Sequence, residues 1–223
     1  MPEIKLVYFN VRGLGECARL ILRHAKVDFK DEQVTHEQWP EVKPIISKLN
    51  LGESGGIFCI FETKTGKLPY LEYDGHLILE SNAINRFLAK KHNLAGKDDY
   101  EQALVDGIAD IQKDFMNAVF PYYGAVMGYA PGNPNELKKE YLDDNLARFL
   151  PMYSNFLKES KSGFMAPSGL TWVDFVITEY LTTLLHFDSK ILDNHKDLKD
   201  YIERVHNVPQ LKDYYANRPY SKN

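Results

Sequence analysis

Cysteine is scarce in this chain of 223 residues, which carries only Cys17 and Cys59. Two cysteines cannot build a disulfide framework or a cysteine-rich metal site, so a reducing cytosol is the expected compartment. A secretion signal is not expected at the N-terminus, and no apolar run approaches the roughly 20 residues of a membrane span. Basic residues are not in excess either: the formal net charge of −4 argues against nucleic-acid or membrane partners.

The chain is long enough for one large domain or two small ones. Its first part alternates between strand and helix patterns. Asp74-Gly75 between two apolar segments is a strong hairpin signal. The patterns predict a βαβ unit and then a ββα unit, with strands at 4–9, 29–34, 70–73 and 77–79, and helices at 16–25, after 37 and from 81.

The polar stretch 93–99 is the predicted boundary between domains. Beyond it, helical periodicity dominates and predicts helices at 100–127, 135–158, 171–186 and 197–217. Thr171 and Asp174 form a capping-box variant, with Leu170 placed to staple the helix start. The predicted fold class is therefore α/β plus all-α: a thioredoxin-like domain over 1–93, followed by an all-helical domain over 100–223.

Leu68-Pro69, followed by Glu80-Ser81, is the most informative pattern. Proline at the start of a strand is unusual, because it gives the ladder no N–H. A cis bond before Pro69 would explain it and would expose the backbone of Leu68 to an extended ligand. Ser81 opens an apolar-periodic helix, and a helix N-terminus attracts carboxylates. A strand-like edge beside a helix N-terminus suits a peptide that carries a carboxylate, such as glutathione.

The motifs along the chain resemble those of the glutathione transferases. They are Tyr8-Phe9-Asn10-Val11-Arg12-Gly13, Trp39-Pro40 with Lys43, Leu68-Pro69, Glu80-Ser81, Asp114-Phe115-Met116 and Leu170-Thr171-Trp172-Val173-Asp174-Phe175. The opening motif is similar to that of the sigma class, which includes the glutathione-dependent prostaglandin D synthases. The resemblance covers nearly the whole chain and implies a cytosolic homodimer that acts in detoxification.

Tyr8 is the catalytic residue that the resemblance implies. The nucleophile is the thiolate of glutathione, and a thiol with a pKa of about 8.5 is mostly protonated at neutral pH. A tyrosine hydroxyl remains a hydrogen-bond donor at that pH and can stabilise the thiolate. On position alone, Tyr8 could instead be a packing residue at the end of a strand.

The resemblance also implies a set of glutathione-binding residues. Trp39 and Lys43 would hold the glycyl carboxylate, Leu68 would pair with the cysteinyl backbone, and Ser81 would hold the γ-glutamyl carboxylate. Glu80 stands where the sigma class commonly has glutamine, so its role is less defined. The full set is Tyr8, Trp39, Lys43, Lys67, Leu68, Pro69, Glu80 and Ser81, with Asp114 contributed by the partner subunit.

A hydrophobic pocket for the electrophile is expected to involve Gly13, Leu14, Met116, Tyr122 and Tyr123. The prostaglandin D synthases carry an arginine at the position of Leu14. They also carry an acid at the position of Lys113, in a cluster that binds a divalent cation. Both differences disfavour prostaglandin isomerisation. Because Lys113 would repel a cation, no metal is expected, and glutathione is expected as a co-substrate with no further cofactor. A non-catalytic, crystallin-like or ligand-binding relative is a further alternative.

Roughly seventeen residues within 45–65 have no counterpart in the family pattern. They include a run of five apolar residues at 57–61. Three hypotheses remain open: an extra hairpin strand near the glutathione site, a contact with a partner or second subunit, or an untranslated intron carried into the gene model.

Overall fold

The structure is a computed structural model, and it describes residues 2–48 and 66–221. The chain forms two compact units, which divide between His92 and Asn93, and Pro219–Ser221 near the C-terminus belong to the first unit. Most of the inserted segment, residues 49–65, lies outside the described residues. The three hypotheses for that segment therefore stay predictions.

The first unit contains a four-stranded mixed sheet with the strand order β2-β1-β3-β4. Strand β1 runs parallel to β2 and antiparallel to β3, and β3 pairs antiparallel with β4. The elements are β1 (Ile4–Phe9), α1 (Glu16–His24), β2 (Lys30–Val34), α2 (Trp39–Lys48), β3 (Tyr70–Tyr73), β4 (His76–Leu79) and α3 (Ser81–Lys91). The predicted βαβ then ββα order, and with it the thioredoxin-like fold, is confirmed.

The core of the first unit forms because its central elements are apolar on the faces that meet. Leu6 and Val7 of β1 are buried, and so is Leu71 of the adjacent β3. Helices α1 and α3 pack against each other. Leu20 of α1 and Leu88 of α3 are fully buried. This packing holds β1 between β2 and β3, and so fixes the position of the C-terminal end of β1.

The second unit is helical, as predicted, but two of the predicted helices are not continuous α-helices. Its helices are α4 (Asp99–Met127), α5 (Pro134–Leu137), α6 (Asp144–Ser160), α7 (Trp172–Phe187), α8 (Lys196–His206) and α9 (Lys212–Asn217). The predicted helix at 135–158 contains a π-helical stretch at Lys138–Asp143. The prediction of a single helix at 197–217 is wrong, because α8 and α9 are separate helices. Pro209, which lies between them, lacks an N–H and disfavours helical geometry at Val208.

The predicted capping box at the start of α7 is confirmed. Asp174 accepts hydrogen bonds from the backbone N–H groups of Thr171 at 2.7 Å and Met165 at 2.9 Å. The hydroxyl of Tyr201 also donates to this carboxylate at 2.8 Å. The acid is fully buried. Its hydrogen bonds link the start of α7 to two other segments of the unit. Among the described helices, none has the length and apolar character that a membrane crossing requires.

Candidate functional site

The sheet topology brings the predicted glutathione-binding segments to one edge. Because β1, β2 and β4 run in the same direction and β3 runs opposite, the C-terminal ends of three strands meet the N-terminal end of β3. Tyr8 lies near the end of β1, Trp39 follows β2, Pro69 precedes β3, and Glu80 follows β4. Segments that are far apart in the sequence are therefore neighbours in the first unit.

Tyr8 is held by the loop that follows β1. Its side chain is 7% exposed, and the backbone N–H of Leu14 donates a hydrogen bond of 3.0 Å to its hydroxyl oxygen. Gly13 has a φ of +38°, and a Cβ at this position would lie 2.6 Å from the Tyr8 hydroxyl oxygen. Glycine is therefore required here both for the backbone conformation and for the close approach of the loop. A hydroxyl that accepts an N–H is a stronger donor through its own proton, because bonds in series polarise one another.

The peptide bond between Leu68 and Pro69 is cis, as predicted. Pro69 is buried, Leu68 is half-buried and Lys67 is exposed. The next residue, Tyr70, pairs in register with Val7 of β1, so this turn directly adjoins the residue before Tyr8. Burial raises the pKa of the Tyr70 phenol, with a smaller contribution from the Glu72 carboxylate, so this phenol stays protonated at neutral pH.

Glu80 and Ser81 join β4 to α3 through an unusual backbone conformation. Glu80 has a φ of +69°, which is uncommon for a residue other than glycine. Its carbonyl accepts the N–H of Ile84 at 3.0 Å, so helix α3 begins directly after this residue. The strain at Glu80 places Ser81 and the N–H groups of the first helical turn at the same edge of the sheet.

Phe9 positions Trp39 and is a residue whose individual role the sequence did not indicate. Its ring contacts the Trp39 ring edge-to-face at 5.2 Å and stacks on His36 at 4.8 Å. It also meets the ring of Tyr8 edge-to-face at 5.7 Å. One phenylalanine at the end of β1 therefore joins the two aromatic residues of the predicted site. Lys43, one turn further along α2, is exposed.

The predicted electrophile residues divide between the two units. Leu14, in the first unit, is 42% exposed. In the second unit Met116 is half-buried, whereas Tyr122 is 5% exposed. Burial raises the pKa of the Tyr122 phenol, while Lys138 partly opposes this shift.

Tyr123 belongs to an aromatic group that sequence reasoning captured only in part. Its ring lies 5.7 Å from Phe187, 6.1 Å from Tyr129 and 6.3 Å from Phe120. Phe120 is half exposed and was not among the predicted residues. Helical periodicity alone does not tell an aromatic side chain that faces solvent from one in the core.

Asp114 lies on an exposed face of α4, as do Lys113 and Asp110. Its carboxylate is thus accessible to a partner molecule. The predicted role in a second subunit's site stays a prediction.

Arg19 is a buried cation that sequence reasoning missed. It is 3% exposed and forms ion pairs with Asp31 at 3.0 Å and Glu16 at 3.1 Å. It also donates to the carbonyl oxygens of Val11 at 2.8 Å and Phe9 at 3.2 Å. The only signal in the sequence is that Glu16 and Arg19, three residues apart, lie within the otherwise apolar start of α1.

Two family models match the chain. The model described as "Glutathione S-transferase, N-terminal domain" matches residues 4–90. The model described as "Glutathione S-transferase, C-terminal domain" matches residues 114–218. The first match contains the sheet edge described above, and the second contains most of the helical unit.

Individual relatives match over nearly the full length. Glutathione S-transferase 1 of Ascaris suum is 38% identical, and the match covers 98% of each chain. A solved glutathione S-transferase of Caenorhabditis elegans is 36% identical, with a TM-score of 0.88 and 99% of each chain covered. A Nu-class enzyme of Haemonchus contortus is 35% identical, with a TM-score of 0.83 and 100% of each chain covered. Together with the thioredoxin-like sheet and the helical unit, these matches show that the chain is an enzyme of the glutathione S-transferase family.

Proposed function

We propose that Tyr8 activates the thiol of bound glutathione for attack on small hydrophobic electrophiles, as in detoxification. The observation that carries this proposal is the hydrogen bond from the Leu14 N–H to the Tyr8 hydroxyl at 3.0 Å. It holds the phenol oxygen against the loop that follows β1. Strand β1 pairs with β3, which begins directly after the cis Leu68–Pro69 bond. A donor held in this way can bind a thiolate without reorganising during the reaction.

The reaction follows from the chemistry of the thiolate. The thiol releases its proton to solvent, and the sulfur then carries a negative charge that the Tyr8 hydroxyl stabilises. A depression of the thiol pKa by about 2 units corresponds to about 2.7 kcal/mol and makes the thiolate the main species at neutral pH. With 1-chloro-2,4-dinitrobenzene, a carbon–sulfur bond forms at the ring and the carbon–chlorine bond breaks, releasing chloride.

The remaining residues at the sheet edge match the charges of glutathione. Lys43 and the indole N–H of Trp39 would bind the glycyl carboxylate. The backbone of Leu68 would pair with the cysteinyl residue as one strand pairs with another. Ser81, with the N–H groups that begin α3, would bind the γ-glutamyl carboxylate, while Glu80 would accept its ammonium group.

The assembly and the class of the enzyme are also proposals. We expect a cytosolic homodimer, in which Asp114 of one subunit binds the γ-glutamyl ammonium in the site of the other. The motif at the N-terminus, which resembles that of the sigma class, supports placing the enzyme in the sigma class. The nematode relatives, one of which is called Nu-class, support a placement among the nematode enzymes instead.

Prostaglandin isomerisation is the less favoured function. Its substrate is an anion, and the exposed Leu14 offers no positive charge at the mouth of the Tyr8 loop. Lys113, exposed beside Asp114 on α4, would repel a divalent cation, so we expect no activation by metals. A non-catalytic role would not require a held hydroxyl at Tyr8.

Conjugation of glutathione to 1-chloro-2,4-dinitrobenzene tests the proposal, with Tyr8→Phe as the diagnostic variant. We expect about a hundredfold loss of kcat/KM at slightly acidic pH, corresponding to the 2.7 kcal/mol above, with retention on glutathione-agarose preserved. Tyr100→Phe is the matched control, because that side chain is 90% exposed and its loss should change nothing. A Tyr8→Phe enzyme as fast as the wild type would contradict the mechanism.

A further inference from the structure

The guanidinium of Arg19 bonds to three different segments of the first unit. Its Nε binds both carboxylate oxygens of Asp31 on β2, at 3.1 and 3.0 Å. Its Nη1 donates to Glu16 on α1 and to the carbonyl of Val11, and its Nη2 donates to the carbonyl of Phe9. Burial opposes a charge here, but the two carboxylates outweigh it and raise the pKa of Arg19 above its ordinary value.

The two carbonyls lie at the start of the loop that holds Tyr8: Phe9 is the last residue of β1, and Val11 lies in the loop itself. This loop leaves β1 at Phe9 and reaches α1 at Glu16, and it contains Leu14, the residue whose N–H binds the Tyr8 hydroxyl. The guanidinium carbon also lies 5.9 Å from the centroid of the Tyr8 ring. Arg19 therefore contacts the loop at its beginning, and the loop contacts the phenol at its end.

We propose that Arg19 is a positioning residue for the thiolate-stabilising hydroxyl: by bonding the carbonyls of Phe9 and Val11, it sets the loop path that brings the Leu14 N–H to Tyr8. This inference rests on the proposed catalytic role of Tyr8. It extends that role by naming the residue that holds the hydroxyl's own partner in place.

The choice of acceptors supports a role beyond stability. An arginine that served only to form ion pairs would need no acceptors other than the carboxylates of Asp31 and Glu16, and a buried ion pair is by itself weak evidence of a stabilising role. Arg19 also donates two N–H groups to uncharged backbone carbonyls. The planar fork of arginine can bind four acceptors in fixed directions, whereas a lysine ammonium has three donors around one point.

Arg19→Lys tests the proposal because it keeps the charge and loses the fork. The main readout is the pKa of enzyme-bound glutathione, followed by the ultraviolet absorbance of the thiolate across a pH series. We expect the thiolate fraction at slightly acidic pH to fall about tenfold, as for a pKa about one unit higher, with kcat falling more than KM rises. Arg23→Lys, one turn further along α1, is the matched control, since that guanidinium lies over the ring of Phe29. It should leave the thiolate pKa unchanged.

Asp31→Asn separates positioning from stability. It weakens the ion pair at Nε but leaves the bonds to Phe9 and Val11, so it should lower the melting temperature with little effect on the thiolate pKa. If Arg19→Lys does not fold, Glu16→Gln takes its place. Glu16 shares Nη1 with the loop carbonyl of Val11, so Glu16→Gln should then shift the thiolate pKa more than Asp31→Asn does.

The outcomes distinguish this inference from the proposed function. Tyr8→Phe measured in the same pH series sets the reference. If Tyr8→Phe raises the thiolate pKa and Arg19→Lys does not, the positioning role is wrong while the catalytic tyrosine stands. If Tyr8→Phe itself leaves the thiolate pKa unchanged, the proposed function fails first. A shift that merely follows the loss of melting temperature across all variants would also overturn the positioning role.

Discussion

Gly15 lies so close to the ring of Tyr8 that a Cβ on it would be 2.5 Å from the Cδ1 atom. No real side chain is tolerated at that distance, so an alanine must displace either the ring or the loop. The phenol ring and the loop that holds it are therefore packed tightly against each other.

Gly15→Ala should lower conjugating activity about tenfold or more, because displacement of the ring breaks the bond from the Leu14 N–H and misplaces the hydroxyl. Steady-state kinetics with 1-chloro-2,4-dinitrobenzene measures this. In a Tyr8→Phe background the same change should cost little further activity, since the hydroxyl is already missing. Equal losses in both backgrounds would mean that Gly15 acts independently of Tyr8.

Asp114→Asn should raise the KM for glutathione about tenfold with little change in kcat, because a charge-assisted hydrogen bond to the γ-glutamyl ammonium is lost. Asp110→Asn, one turn earlier on the same helix and also exposed, is the control and should leave the KM unchanged. Sedimentation of the wild type should show a dimer. An active monomer with an unaltered KM in Asp114→Asn would contradict the shared site.

Asp174→Ala should destabilise the fold by about 3–5 kcal/mol, because the buried N–H groups of Met165 and Thr171 would lose their acceptor and the Tyr201 hydroxyl would lose its shorter bond. Urea-induced unfolding measures the change. Asp197→Ala removes the acid from the equivalent first turn of α8, where it is exposed, and should cost less than about 0.5 kcal/mol. Similar losses in the two variants would show that the buried network contributes little.

The stability that Asp174 contributes should fall as the pH rises. Burial raises the pKa of this carboxyl from 3.8 to about 6, although four hydrogen bonds oppose the shift. Between these two values the unfolded chain has released the proton while the folded chain retains it, so a rise in pH favours unfolding. The advantage of the wild type over Asp174→Asn should therefore shrink as the pH rises to about 6 and then level off. Urea unfolding of both proteins across this range is the measurement, and an advantage that grows with pH would contradict the raised pKa.

Local patterns predicted most of the elements, because their causes lie within a few residues. Asp74-Gly75 specifies the β3–β4 hairpin, and the proline at position 69 marks the cis bond in front of β3. Thr171 and Asp174 specify the start of α7. The prediction failed at 197–217, where the apolar repeat continues through Pro209 although the helix does not. The prediction gave more weight to the periodicity than to Pro209, which lacks a backbone N–H and disfavours helical geometry at the residue before it.

Residues whose roles depend on distant partners could not be predicted in the same way. An arginine three residues after a glutamate is usually on a helix surface, and nothing near Arg19 in the sequence indicates that Asp31 and two loop carbonyls surround it. Phe9 likewise carries no sign that its ring joins Tyr8 to Trp39. Such contacts arise only when β1, β2, α1 and α2 pack together.

The sequence by itself determined the order of the strands and helices, the cis turn and the helix caps, since these depend on backbone preferences and on hydrogen bonds over short distances. The tertiary structure decided which of those elements became neighbours. The strand order β2-β1-β3-β4 brings segments from four parts of the chain to one edge of the sheet. That arrangement results from burying apolar side chains such as Leu6 and Leu71, a cooperative effect between residues far apart in the chain that no short stretch of it specifies.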